Sequence, residues 1–210
     1  MGGDSGRSGP FHSEDLEGLY GTFPGLKLVY PSFVEDYFLA LLSSIYDDNP
    51  VLFFENKYLQ RRLKGNIDFD GNVPELVPGR VIKQGESVTI LAYGAMLHEA
   101  LAAAQKAEKK GGISVEIIDP LLLKPFNWDT LSESLAKTHR LLVVHESWAS
   151  CSMGSWIIAG AMERSFFDLD APPMLYAAPD TPVPFAPELE ASYRPKSDRI
   201  VEKIEQLLSY

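Results

Sequence analysis

Apolar positions along this chain fall into two registers, short unbroken runs and longer stretches recurring at steps of three and four, and their alternation predicts an α/β fold. From Leu26, "LKLVYP" reads as a buried strand closed by Pro31. A helix follows: Ser32 and Glu35 have capping-box spacing, and Tyr37, Phe38, Leu41, Leu42 and Ile45 line one face. "DDNP" then turns the chain into a second strand, "VLFFE", from Val51. Residues 26–55 thus predict one βαβ unit with a right-handed crossover. Two strands and a helix leave sheet faces that need neighbours, so the unit reads as a remnant of a domain.

Between Gln60 and Glu86 the pattern lapses; four glycines, two prolines and mixed charge without a sustained period predict a linker. Alternation then resumes with "VTILAY" as strand and a helix from about Ala95 to Lys110, stopped by Gly111-Gly112, whose inner face is Leu97, Ala100, Leu101, Ala104 and Ala107. "ISVEIID" is the next strand, Asn127 is placed to cap a helix, and "LLVVHE" from Leu141 is a third strand. Gly154 opens a helix carrying Ile157, Ile158, Ala161 and Met162. "PMLYAA" is a fourth strand, and Ile200, Val201, Ile204, Leu207 and Leu208 mark a closing helix. Four strand–helix repeats predict an essentially parallel sheet covered by helices on both faces. The resulting division is 1–60 for the remnant, 61–86 for the linker and 87–210 for the complete module.

Composition narrows the partners. At 210 residues and 45% hydrophobic content the chain can bury a core. Its 19 Lys and Arg stand against 29 Asp and Glu, a formal charge of −10 that opposes binding to nucleic acid and anionic membranes. No window approaches the roughly 18 uninterrupted apolar residues of a membrane span. The polar, glycine-rich start lacks the apolar core of a signal peptide. One cysteine, Cys151, allows no internal disulfide and no cysteine-based metal site. A soluble, cytoplasmic protein is expected.

Few residues announce chemistry. The glycine-rich start fails the phosphate-loop pattern at Met1 and at Arg7, where lysine is required, and no strand precedes it. His12, in "GPFHSED", can exchange a proton near neutral pH, although spacing alone favours an exposed loop histidine. His145-Glu146 closes a strand whose carboxyl end faces the binding crevice of an open parallel sheet; without a nucleotide fingerprint, a structural or subunit-interface role is the better reading. His98 and His139 read as surface residues without partners, and Cys151 as a buried, inert thiol. "PDTPVPFAPELE", with four prolines in twelve residues, predicts a stiff extended arm that packs on its own fold or a sister subunit, or docks another protein. The helix end at Ser43-Ser44-Ile45 and the turn Asp47-Asp48-Asn49 bring unpaired carbonyls near carboxylates, where either a cation or water can sit.

Taken together, "SGPFHSED", "PGLKLVYPS", "DDNPVLFFENK", "VTILAYGAM", "VEIIDP", "LLVVHES" and "PDTPVPFAPELE", in this order and spacing, resemble the beta subunit of the thiamine-diphosphate-dependent decarboxylating component of 2-oxo acid dehydrogenase complexes. The resemblance covers nearly the whole chain. It implies a truncated pyrimidine-binding domain followed by a transketolase C-terminal domain. It implies the activity of the family too: a 2-oxo acid, branched-chain or pyruvate, is decarboxylated and the lipoyl group of the dihydrolipoyl acyltransferase is reductively acylated. His12 matches the active-site histidine, with Glu14 where the family usually has glutamine. The glutamate that activates thiamine diphosphate is expected upstream, and the diphosphate with its magnesium on an alpha subunit or fused alpha part, so this chain alone is expected to be inactive. By position, the carbonyls of Ser44 and Ile45, with Asp47 and Asn49, match the ligands of a structural potassium ion. A second beta chain is the remaining implied partner. The alternatives are a free transketolase or deoxyxylulose-phosphate synthase, and a non-catalytic interaction module.

Overall fold

A computed structural model of the chain describes residues 8–210; the start weighed against a phosphate loop, up to Arg7, lies outside the described residues. Two short helices come first, α1 (Pro10–Ser13) and α2 (Glu17–Gly21). Neither is long enough to show a helical period. The βαβ unit follows as β1 (Lys27–Val29), α3 (Val34–Ile45) and β2 (Val51–Phe53), with β1 and β2 parallel and Lys27 opposite Val51. A single turn, α4 (Lys57–Gln60), is capped by Asn56, whose side chain accepts the Leu59 amide at 3.2 Å.

Two expectations for α3 are corrected. The capping box does not form: Phe33 is the N-cap, and Ser32 Oγ instead accepts the Gly94 amide at 3.0 Å and donates to Asp119 at 3.3 Å. The inner stripe is Asp36, Ala40 and Ser43, while Phe38, Leu41 and Ile45 are exposed, Ile45 to 70%. The cause lies in the stretch read as a linker. It runs across the helix, with Ser43 Oγ donating to the Pro74 carbonyl at 2.7 Å and Arg80 holding the Asp36 carboxylate at 2.6 and 3.0 Å.

That same stretch ends in a strand, β3 (Arg80–Lys83). Beyond it come β4 (Val88–Ala92), α5 (Ala95–Gly111), β5 (Val115–Asp119), β6 (Leu122–Lys124), α6 (Trp128–Thr138) and β7 (Leu141–Trp148). The chain closes with α7 (Met153–Ser165), a 3₁₀ turn at Phe166–Asp168, β8 (Met174–Ala178), α8 (Pro187–Tyr193) and α9 (Ser197–Leu208). Gly112 ends α5 in the left-handed conformation, and Asn127 caps α6 as its position predicts. The main sheet has the order β3-β5-β4-β7-β8. Its β5-β4-β7-β8 pairings are parallel and β3 is antiparallel to β5, so the sheet is mixed at one edge. The smaller sheet, β2-β1-β6, takes β6 from the C-terminal half, antiparallel to β1, and so gives the remnant one of the neighbours it needs.

Alternation along the central strands builds two cores. Val88, Ile90, Ala92, Leu142 and Val144 face α5 and α9; Leu91, Leu141 and Val143 face α6 and α7. Thr89, the polar residue on the second face, is satisfied by hydroxyl contacts of 2.6 Å with Ser134 and Thr138 of α6. The proline arm is extended only to Ala186. Pro187, which needs no amide partner at the first helical position, opens α8.

Candidate functional site

Strands β4 and β7 lie side by side at the centre of the main sheet, and their carboxyl ends deliver Tyr93 and the run His145-Glu146-Ser147 to the edge where an open α/β sheet has its crevice. Here the crevice is filled by the N-terminal segments. Tyr30 donates to Asp15 at 2.6 Å, Tyr93 donates to Glu17 at 3.0 Å, and Ser147 Oγ donates to the Asp15 carbonyl at 2.9 Å. Asn56 donates to Tyr30 at 3.2 Å and to the Glu146 carboxylate. His145 stacks on Tyr93 with ring centroids 5.9 Å apart; its Nδ1 stands 4.0 Å from Glu17, and its Nε2 meets Ser152 Oγ at 3.2 Å.

Every member of this network is buried. Burial, which penalises charge, sets the titration. It raises Glu17 from 4.5 to about 7 despite the Tyr93 hydrogen bond, and raises Asp15 well above its ordinary value with repulsion from Glu17 adding to it. It lowers His145 from 6.5 to about 4. The network therefore holds a neutral imidazole beside carboxyl groups that resist ionisation. A third buried acid, Asp119, is raised to about 7 by burial and by repulsion from Asp36.

His12 lies outside this network. It is exposed on α1, whose turn is closed by the Gly9 carbonyl accepting the amides of His12 and Ser13 at 3.3 and 3.1 Å. Lys57 donates to the His12 carbonyl from the other side. Two residues on, Glu14 joins Trp148, Ser150, Asp180, Thr181 and Pro182 around an open cleft of about 420 Å³.

Of the helix-end residues, Ser44 and Ile45 lie in the last turn of α3, Ser44 Oγ donating to the Ala40 carbonyl at 2.6 Å, and Asp47 and Asn49 meet in the turn that follows, where the Asp47 carboxylate is already engaged. It accepts Lys27 Nζ at 2.6 Å and the Asn49 amide and side chain at 2.9 and 3.1 Å. The lysine ammonium, with these bonds, lowers Asp47 to about 2. A cation at this turn would rely on the Ser44 and Ile45 carbonyls. Among the described residues no three His, Cys, Asp or Glu side chains converge to hold a metal ion.

Three readings of single residues change. His98 is half-buried and meets the Ser32 carbonyl at 2.8 Å; His139 caps α6 in the left-handed conformation and meets the Asp168 carbonyl at 2.7 Å; Cys151 is exposed. Asp15, Glu17, Tyr30, Asn56 and Tyr93 escape a sequence reading. Only Tyr30 and Tyr93 carry a signal, a polar-tipped side chain directly after a buried apolar run, as in "LVY" and "ILAY".

The sequence profile of the family "Transketolase, C-terminal domain" matches residues 78–200, taking in β3. The chain is 40% identical over 203 residues to acetoin:2,6-dichlorophenolindophenol oxidoreductase subunit beta of Bacillus subtilis, covering 96% of this chain and 58% of that protein. It is 34% identical over 201 residues to 2-oxoisovalerate dehydrogenase subunit beta and 35% over 199 residues to pyruvate dehydrogenase E1 component subunit beta, both from the same organism, each time covering 95% of this chain and 61% of the relative. The chain thus spans about three fifths of the length of these relatives. A split gene transketolase, solved as an inactive beta4 tetramer, superposes with a TM-score of 0.77 at 22% identity over 94% of this chain and 62% of that one, a likeness of fold. Among the described residues no helix is long and apolar enough to cross a membrane.

Proposed function

Because the chain belongs to the transketolase C-terminal domain family, we propose that it forms part of the beta subunit, or of the beta-like part of a fused chain, in the decarboxylating, lipoyl-acylating component of a cytoplasmic 2-oxo acid dehydrogenase complex. In this reading residues 1–60 belong to a pyrimidine-binding domain, 61–86 link it to the transketolase domain of residues 87–210, and β3 ties the linker to that domain. The substrate is a branched-chain 2-oxo acid or pyruvate. A second reading, acetoin, is favoured by the higher identity to the acetoin relative.

What supports the reading is His12: an exposed imidazole on a turn held by Gly9 and Lys57, two residues before Glu14, which lines an open cleft. When a lipoyl disulfide is opened, one sulfur takes the acyl group and the other leaves as a thiolate that needs a proton. An imidazole supplies it at neutral pH. Thiamine diphosphate, bound with magnesium largely by the alpha part, supplies the carbon centre that carries the acyl group. The other partners are the dihydrolipoyl acyltransferase and a second beta chain. A potassium ion at the end of α3 uses the Ser44 and Ile45 carbonyls beside Asn49, with Asp47 neutralised by Lys27.

The test is His12→Ala in the full assembly. Reductive acylation should fall by about 10²–10⁴-fold, the usual worth of a positioned acid, while decarboxylation followed with an artificial electron acceptor is far less affected. Unchanged acylation removes His12 from the chemistry and returns the chain to the interaction-module reading.

A further inference from the structure

The proline arm crosses from the C-terminal module to the first turn of the described chain. The ring of Phe185 stands end-on to Gly9: a Cβ there would fall 2.2 Å from Cζ and 2.3 Å from Cε1. Gly9 has a φ of 63°, which favours glycine independently of the ring. Its carbonyl is the one that closes the His12 turn.

Burial alone does not explain this contact, because Phe185 remains 61% exposed. The ring is held in place by a backbone that is itself fixed. Trp148 Nε1 donates to the Thr181 carbonyl at 3.0 Å, Ser150 donates to the Asp180 carboxylate from its amide at 3.1 Å and its hydroxyl at 2.5 Å, and Val183 is buried to 3%. Pro179, Pro182, Pro184 and Pro187 remove much of the remaining freedom. The arm therefore acts as a short rigid strut with an aromatic tip. That tip presses on the residue whose carbonyl closes the His12 turn, while Lys57 donates to the carbonyl of His12 itself.

We propose that Phe185 is a positioning residue for His12, its ring on Gly9 fixing the α1 turn and hence the place at which the exposed imidazole is held. The consequence for catalysis rests on the role given to His12 above; the contact and its effect on the turn do not.

Amide exchange measured by NMR on the 210-residue chain tests the contact without any activity. Phe185→Ala should speed exchange of the His12 and Ser13 amides by about tenfold, as expected when a locally held turn is released. Phe185→Leu, which keeps apolar bulk, should restore most of the protection, and the Ile90 and Val143 amides should not move. Wild-type exchange at His12 and Ser13 in Phe185→Ala overturns the proposal. Should Phe185→Ala disturb the core amides, Phe185→Val, which keeps a branched apolar side chain too short to reach Gly9, decides by the same two amides. In the full assembly, Phe185→Ala should lower kcat for lipoyl acylation about tenfold with little change in KM for the 2-oxo acid, the signature of a misaimed group. If His12→Ala leaves acylation intact, the functional reading falls while the exchange result still judges the contact.

Discussion

Glu17→Gln isolates the electrostatic cost of closing the crevice with protein. The Glu17 carboxyl is fully buried, accepts from Tyr93 at 3.0 Å, and rises from 4.5 to about 7 on folding. A raised acid is protonated in the fold at a pH where the unfolded chain has ionised it. Its contribution to stability is whole below 4.5 and is lost as pH rises through about 7. Each unit is worth about 1.4 kcal/mol, so between about pH 5 and pH 8 the loss comes to about 2–3 kcal/mol. His145, lowered from 6.5 to about 4, runs the opposite way: its contribution is present above 6.5 and is lost as pH falls through about 4. In the wild type the two slopes largely cancel over their shared window, and the glutamine uncovers the histidine slope. Glutamine keeps the shape and can still accept from Tyr93. Urea unfolding at the two pH values should therefore find Glu17→Gln gaining about 2–3 kcal/mol on the wild type from the lower pH to the higher. Asp119, also raised to about 7, is present in both proteins and drops out of the difference, whereas Asp15, relieved of the Glu17 charge, moves back towards its ordinary value and adds to the gain. A gain below about 0.5 kcal/mol would mean that Glu17 is ionised throughout, and the account of the network would be wrong.

Gly160→Ala should cost about 2 kcal/mol or more in urea unfolding, because its Cβ would lie 2.1 Å from the Trp128 ring, itself pinned by the Arg164 guanidinium at 4.2 Å and by Trp156 at 5.0 Å. Asn56→Ala removes the α4 cap together with the donors to Tyr30 and Glu146, and should lower the free energy of unfolding by about 3 kcal/mol in the same assay. His12→Ala, at an exposed position, should change thermal stability by less than about 0.5 kcal/mol. Loss of acylation in that variant is then a loss of chemistry.

The regular elements were legible because their signals are local. Apolar runs and three-and-four spacing located β4, α5, β5, α6, β7, α7, β8 and α9, and the cap at Asn127 and the stop at Gly112 followed from side-chain and backbone chemistry within one turn. What escaped depends on partners distant in sequence. β3 and β6 are short edge strands of 4 and 3 residues whose pairing partners, β5 and β1, decide that they are strands at all. The exposed apolar residues of α3 mislead for the same reason: Arg80 and Pro74 choose the inner stripe, and helical spacing knows nothing of them. Ser32 illustrates competition, since capping would use the hydroxyl that Gly94 and Asp119 engage instead. Of the buried network only the His145-Glu146 strand end was legible; Asp15, Glu17, Tyr30, Asn56 and Tyr93 were not, because bonded partners in it are separated by up to 132 residues.

Glu17, Asp15 and His145 all carry large titration shifts at the crevice, and a search for perturbed acids and bases would stop there. Their cause argues for a different role. All three are shifted chiefly by burial, which acts in this way wherever an ionisable side chain is walled off by protein. A group that exchanges protons with a substrate must also be reachable, and the side chains of Glu17 and His145 have no exposed surface. They join the N-terminal segments to the carboxyl ends of β4 and β7 and fix where the chain leaves the sheet. The reachable imidazole, His12, stands just beyond that junction on a turn held by Gly9, Lys57 and the arm, so the buried network sets the position from which the exposed loop can work. Rigidity inside and access outside are thus divided between adjacent segments, with Ser147 Oγ on the Asp15 carbonyl as one direct link between them.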